Sequence, residues 1–380
     1  MSCDALVIGG GPSGSTAAAL LARGGHRVVL VEKSSFPRRK VCGEYISATT
    51  WPILEELGLA SELSTQAGPP VRRVGFFARD VSVDAPMPAP LEVDAWGRAV
   101  GREILDPALL AVAMREGAEM MQPATVQSLR REGDGFVARV SVGDEDREIH
   151  AHHVIAANGS WEVGPLTPRL PRRESDLLGF KARFSGARLP EGLMPLLLFP
   201  GGYGGLVHTD AQEASFSCCI RRDALADCRA RLGGAAGEAL IAHAMAHNRA
   251  LREALDGARR EGPWLSAGPI RPGIRRVVES GIFRVGNAAG EAHPLVAEGI
   301  SMAIQSAWLL VRSWGRDPRA YESAWHATFA SRIRASSIFA TLTVPAVPSR
   351  ASIAVLERIP AVLTLGARWS GKARMPRAAA

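Results

Sequence analysis

The segment from residue 4 to residue 33, DALVIGGGPSGSTAAALLARGGHRVVLVEK, leaves the chain few folds to adopt. Its apolar run Ala5–Ile8 suits a short buried strand and stops at Gly9-x-Gly11-x-x-Gly14, with Pro12 and Ser13 inside the turn. The alanine- and leucine-rich stretch Ser15–Arg23 predicts a helix, and Arg27–Glu32 a second strand. The first glycine permits a tight turn, the second a close backbone approach to pyrophosphate, the third close packing of helix on strand. The helix N-terminus then presents free N–H groups and the positive end of its dipole. Glu32, followed by Lys33, closes the second strand. A carboxylate there, about 20 residues on, accepts hydrogen bonds from an adenosine ribose and disfavours a 2′-phosphate. These features predict a dinucleotide site at the edge of a parallel sheet.

A second strand–turn–helix unit lies near the C-terminus in GIFRVGNAAGEAHPLVAEGISMAIQSA. Gly281–Val285 is the expected strand and Gly286, Ala288, Ala289 and Gly290 a small-residue turn. Pro294 stiffens the next loop, and a helix runs from Gly299 and Ile300 to Leu310. Between the two units, Gly101-Arg102-Glu103-Ile104-Leu105-Asp106 leads into Pro107, which predicts Asp106 as a helix N-cap with proline in the first turn. Ala124–Leu129 and Phe136–Val142 have the alternation of a β-ribbon, and HVIAANG, ending in Asn158 and Gly159, reads as a further buried strand.

With SSFPRRKVCGEYIS following Glu32, these motifs resemble the FAD-dependent monooxygenase and geranylgeranyl-reductase-like flavoprotein superfamily, which also contains flavin-dependent halogenases. The resemblance covers roughly residues 1–325 in order. It implies an α/β fold whose doubly wound, Rossmann-like FAD-binding domain is discontinuous: 1–70, 98–165 and 266–325. An antiparallel-sheet substrate domain from 71–97 and 166–265 is inserted into it. A helical C-terminal segment follows over 326–371, and 372–380 is expected to be disordered.

The resemblance also implies roles. Arg102 should reach the pyrophosphate or ribityl, Val126 should meet the adenine, and Arg38 or Lys40 should lie near flavin N1, favouring its anionic reduced form. Cys42, in a KxCG segment, should face the flavin. The family's aspartates are replaced by Asn158 and Asn287, which still accept hydrogen bonds but carry no charge. A family glycine is replaced by Ala297. Where reductases of the family show a tyrosine–tryptophan–phenylalanine–proline pattern, Tyr203 stands with Gly205 at the tryptophan position and His208 at the proline position, which implies a wider, less greasy pocket.

Composition narrows the function classes. The net charge is +7, but no block of five or six like charges occurs and aromatic residues make up 6%. Nucleic-acid binding by basic patches with stacking aromatics is therefore not expected. The positive charge suits phosphate-bearing cofactors or an anionic membrane surface. Five cysteines without regular spacing suggest neither a disulfide framework nor a zinc site. His243 and His247, one helical turn apart, lack an evident third ligand, so no metal is expected. No apolar run reaches the 18 or so residues of a spanning helix, and a cytoplasmic location, with peripheral membrane contact through the C-terminal helices, is the expectation.

The favoured function is hydroxylation of an aromatic or polyketide-like lipophile through a flavin C4a-hydroperoxide, using O₂ and NADH or NADPH. With a single dinucleotide fingerprint, the nicotinamide would bind transiently or a reductase partner would deliver electrons. His208 and His293 are the candidate acid/base groups, with Cys42 and Tyr203 beside the substrate. Reduction of carbon–carbon double bonds is the alternative, and halogenation a third reading. The Trp-x-Trp-x-Ile-Pro stretch of tryptophan-type halogenases is absent.

Overall fold

The parallel strands that the glycine fingerprint demands form the middle of one sheet. A computed structural model describes residues 1–90, 95–160, 164–167, 171–209, 213–343, 354 and 356–376. In it Ser2–Ile8 runs parallel to Val28–Val31 on one side and to Glu145–Ala156 on the other. Glu119–Met121 extends the sheet beyond Val28–Val31, and Ile282–Arg284 extends it beyond Glu145–Ala156. Strand order therefore reverses at Ser2–Ile8, the switch point at which ligands enter open α/β sheets.

Three helices, Pro12–Arg23, Arg102–Arg115 and Gly299–Arg312, share one core with the sheet, built on Val7, Leu30, Leu109 and Ile304. The opposite core joins Leu6, Val29 and Val154 to Val126, Phe136 and Val140 of the ribbon strands Thr125–Glu132 and Gly135–Val142. The ribbon thus covers the face left open by the helices, and sheet strands buried on both sides read as continuous apolar runs.

The second sheet has seven strands among the described residues, in the order Arg259–Ile270, Leu177–Ser185, Glu213–Arg221, Gly202–His208, Leu193–Phe199, Arg73–Ala78, Val81–Pro86. It is antiparallel except where Leu193–Phe199 runs beside Arg73–Ala78. Its first strand continues to Ile270, past the expected boundary at 265. Helices Arg222–Leu232, Ala236–His247 and Arg249–Ala254 cover its outer face.

Three sequence expectations need correcting. The middle helix starts at Arg102 behind Gly101, so Asp106 is not an N-cap and Pro107 lies inside the helix. Asp106 is instead fully buried beneath Arg102. The C-terminal helical segment begins earlier than expected, with a 26-residue helix over Pro318–Thr343, and resumes at Ala361–Ala367. Residues 354 and 356–358 are also helical and the break expected at Pro360 separates them from Ala361–Ala367, while most of 344–355 lies outside the described residues. Residues 372–376 are not a loose tail: Lys372 is 4% exposed and holds Glu298. Residues 377–380 lie outside the described residues.

Candidate functional site

A groove of about 210 Å³ lies over the carboxyl end of the central strands. Its lining gathers sixteen positions singled out from sequence: Gly9, Gly11, Pro12, Ser13, Glu32, Lys33, Arg38, Lys40, Cys42, Arg102, Val126, Asn158, Gly159, Asn287, Gly299 and Ile300. Gly14 and Gly286 stand behind the lining. A Cβ on Gly14 would collide with the Gly9 carbonyl oxygen, and one on Gly286 would sit 2.8 Å from Ser13 Oγ. Gly9 has φ +108°, where a side chain would also strike the Ala157 carbonyl.

Glu32 closes one end. Its Oε2 accepts the Gly10 N–H at 2.8 Å and its Oε1 the Ser34 N–H at 2.8 Å. Arg38 stacks on Phe36, donates to Ser34 Oγ at 2.8 Å and approaches Glu32 Oε1 at 3.5 Å. Arg38 is therefore tied to the Glu32 end of the groove, and Lys40 also lies on the groove wall. Arg102 grips Asp106 with two bonds of 2.6 Å and also hydrogen-bonds Cys42. Burial would lower its pKa, but the Asp106 carboxylate outweighs burial and holds the guanidinium charged.

These residues fit FAD on an observation independent of motif. Asn158 donates through Nδ2 to Thr167 Oγ1 at 2.7 Å, while its Oδ1 is buried on the groove wall with no partner among the described residues. A buried unpaired acceptor costs about 1–3 kcal/mol, and a cofactor hydroxyl would satisfy it.

A second cavity of about 930 Å³ lies between the two sheets and is roofed by the C-terminal helices. Val41, Cys42, Asn287, Gly299 and Ile300 line both spaces, so they form the wall through which cofactor and substrate would meet. Gly205 leaves the expected width, yet Phe76, Leu196, Leu206, Ile270 and Leu295 keep the walls apolar, against the expectation of a less greasy pocket.

Tyr203 and His293 come together here. The Tyr203 hydroxyl lies 3.3 Å from His293 Nδ1, which also accepts the Leu295 N–H at 3.5 Å. Burial lowers the His293 pKa to about 4, so the ring is neutral at pH 7 with its Nε2 carrying the proton. His208 does not join them. Its Nε2 donates to the Leu189 carbonyl at 2.9 Å and it is absent from the cavity lining. His243 Nε2 likewise donates to the Pro200 carbonyl.

Pro294 and Ala297 line this second cavity rather than the groove. Ala297 has φ +53° and ψ +41°. That left-handed geometry explains the family's glycine, and alanine adopts it at a cost of about 1 kcal/mol.

Sequence reasoning missed the polar core that fixes the Cys42 loop. Glu44, fully buried at φ +59°, pairs with Lys181 and Arg183, and Arg183 also reaches Glu103 and Glu213. Burial alone would raise the Glu44 pKa, but the two cations outweigh it and hold the carboxyl below its usual range. Ser217 Oγ donates to the Cys42 carbonyl at 2.7 Å. The available signal was alternation: in LLGFKARFS, Lys181 and Arg183 share one face of a strand whose other face is apolar.

Comparison with known proteins agrees with this geometry. Residues 2–168 match the FAD binding domain family. The chain is 34% identical over 172 residues to a menaquinone reductase of Mycolicibacterium smegmatis, covering 45% of this chain and 41% of that protein. It is 26% identical over 329 residues to digeranylgeranylglycerophospholipid reductase 3 of Methanosphaera stadtmanae, covering 81% and 76%. In fold it resembles the flavin-dependent brominase Bmp2, with a TM-score of 0.81 at 18% identity over 98% of this chain and 94% of that one. A geranylgeranyl bacteriochlorophyll reductase-like protein from Thermoplasma acidophilum gives 0.73 at 19% identity over 96% and 91%. Fold, groove and family match together support an FAD-binding domain over residues 2–168.

Proposed function

We propose that this chain reduces a carbon–carbon double bond in a lipophilic substrate held in the 930 Å³ cavity. One observation carries the choice of reaction. The wall common to groove and cavity contains one side chain that can give up a proton to carbon, the Cys42 thiol, beside the amide of Asn287 and with neither histidine nor carboxylate. When bound and reduced, FAD supplies a hydride. Saturating the double bond then requires a proton on the second carbon, which the Cys42 thiol is placed to donate and to regain from water. The Nε2–H of neutral His293, whose Nδ1 is held by Tyr203, gives the cavity a directional donor that orients a polar group of the substrate.

Hydroxylation of a phenol needs a base instead. His208 lies outside the cavity, and His293, its pKa lowered to about 4 and its Nδ1 lone pair already engaged, is a weak base, so the geometry favours reduction over the hydroxylation expected from sequence. The names of the reductase relatives point the same way, toward menaquinone or an isoprenoid lipid as substrate. Electrons would come from NADH or NADPH bound transiently, or from a reductase partner.

No helix among the described residues is long and apolar enough to cross a membrane. Ile338, Phe339, Ile359, Val362, Leu365 and Trp369 are nevertheless exposed, and four of them also line the cavity. Exposed Arg334, Arg358 and Arg368 lie in the same segments. A lipid substrate would enter there from an anionic membrane surface.

The deciding experiment reduces the FAD-loaded protein with dithionite under nitrogen and adds menaquinone or a digeranylgeranyl lipid. Product with a carbon–carbon double bond of its isoprenoid chain saturated supports reduction. Product that forms only with oxygen, and gains an oxygen atom, refutes it in favour of hydroxylation.

A further inference from the structure

The large cavity contains a cation that the proposed chemistry does not use. Arg332 lies on the Pro318–Thr343 helix and lines the cavity with Ala335, Ser336 and Phe339. Its Nη1 is buried without a hydrogen-bond partner, and it forms no ion pair among the described residues. Its guanidinium lies 5.8 Å from the centre of the Phe329 ring. The chain makes room for it: a Cβ on Gly371, which has φ +108°, would collide with the guanidinium.

The adjacent cation is already neutralised. Lys372 Nζ donates to the Val296 carbonyl at 2.6 Å, to Glu298 Oε1 at 2.7 Å and to Ser370 Oγ at 3.0 Å. These contacts use all three of its donors. Glu298 is the carboxylate that Arg332 feels, and Lys372 holds it, so two cations face one anion and a positive charge is left over. The two buried carboxylates that line this cavity are committed elsewhere, Glu44 to Lys181 and Arg183 and Glu291 to Ser160, Asn287 and Arg275. His293 is neutral and contributes no charge. Burial also works against the charged form of Arg332, so the unbound state is the costly one.

We propose that Arg332 forms an anion-binding subsite in this cavity, so that the lipophile it accepts carries a carboxylate or phosphate group. The inference rests on the cavity being the substrate site and adds the charge of the substrate. Arg332 lines only the lipophile cavity and not the FAD groove, so the anion it binds belongs to the substrate. A planar guanidinium with free donors suits both oxyanions bidentately.

The test titrates FAD-loaded full-length protein calorimetrically with dodecanoate, dodecyl phosphate and dodecanol, each below its micelle concentration. These share one chain and differ in headgroup. A charge-assisted pair in a partly buried site predicts that at least one anion binds about tenfold or more tightly than the alcohol. Arg332→Gln should bring that anion to the alcohol's affinity and leave dodecanol unchanged, with Arg332→Lys retaining part of the preference. The ratio of the two anions identifies the preferred headgroup. Equal binding of all three probes by the unsubstituted protein overturns the proposal and leaves the lipophile cavity intact, as does a preference that survives in Arg332→Gln. Binding of none of them overturns the cavity reading and this proposal with it. The comparison in unsubstituted protein stands even where a variant fails to fold.

Discussion

Lys372→Met tests whether the end of the chain is part of the structure. Lys372 is 4% exposed and Glu298 1% exposed, and the second oxygen of Glu298 has no partner. Removing the ammonium takes its hydrogen-bonded cation from a buried carboxylate and leaves only the unpaired Arg332 facing it, which costs up to about 3–5 kcal/mol. With about 2 cal/mol/K of unfolding entropy per residue over 380 residues, that becomes a fall in Tm of about 4–6 °C for a single transition. The double variant Lys372→Met/Glu298→Met removes both charges and should recover most of the loss, because replacing a buried pair with apolar side chains is close to neutral. Scanning calorimetry reads the three Tm values, and limited proteolysis shows whether the C-terminal segment loosens first. A single variant within about 1 °C of the starting protein, or a double variant no more stable than the single, would refute the reasoning.

Three further outcomes follow from particular positions. Gly14→Ala forces a methyl into the Gly9 carbonyl, so the purified variant should lose bound FAD, read from its visible absorbance. His293 has its pKa depressed from 6.5 to about 4. The unfolded chain therefore binds the extra proton first, and about 3 kcal/mol of stability should be lost as pH falls from about 6.5 to 4. His293→Gln should flatten that slope in urea titrations across the same range. Ala297→Gly relieves the left-handed backbone at φ +53° and should raise stability by up to about 1 kcal/mol in the same denaturation assay.

The groove was legible because its constraints are local. Gly9 and Gly14 are required by main-chain atoms within the same turn, and such requirements leave a sequence signature that spacing alone reveals. Glu32 was legible for the same reason, at the end of a strand whose partner is the next strand over. Arg102 shows the limit. Its line-up with Pro107 suggested a helix start at Asp106, but tertiary burial extended the helix back to Gly101 and turned Asp106 into the partner of Arg102. His208 and His293 were equal candidates in sequence. Only the packing of the two sheets tells them apart, placing one ring on the Leu189 carbonyl and the other beside Tyr203. Lys372 was the least legible, since its partner lies 74 residues away and its neighbours have the composition of a loose tail.

The two asparagines that depart from the family pattern are handled differently by the fold. Asn158 is a plain substitution: Thr167 fixes the amide nitrogen and the carbonyl oxygen stays on the groove wall as a neutral acceptor. At Asn287 a negative group remains close at hand. Its Nδ2 donates at 2.9 Å to Glu291, a buried carboxyl that also accepts from Ser160 Oγ at 2.8 Å and lies 3.5 Å from Arg275. Burial raises the pKa of Glu291 against the pull of Ser160 and Arg275, so its charge is sensitive to what occupies the adjoining cavity. The donor group of Asn287 is thereby committed to Glu291, and its carbonyl oxygen remains the acceptor available to a bound cofactor. The asparagine thus keeps the hydrogen-bonding direction of the aspartate it replaces while the carboxylate stands four residues further along the chain.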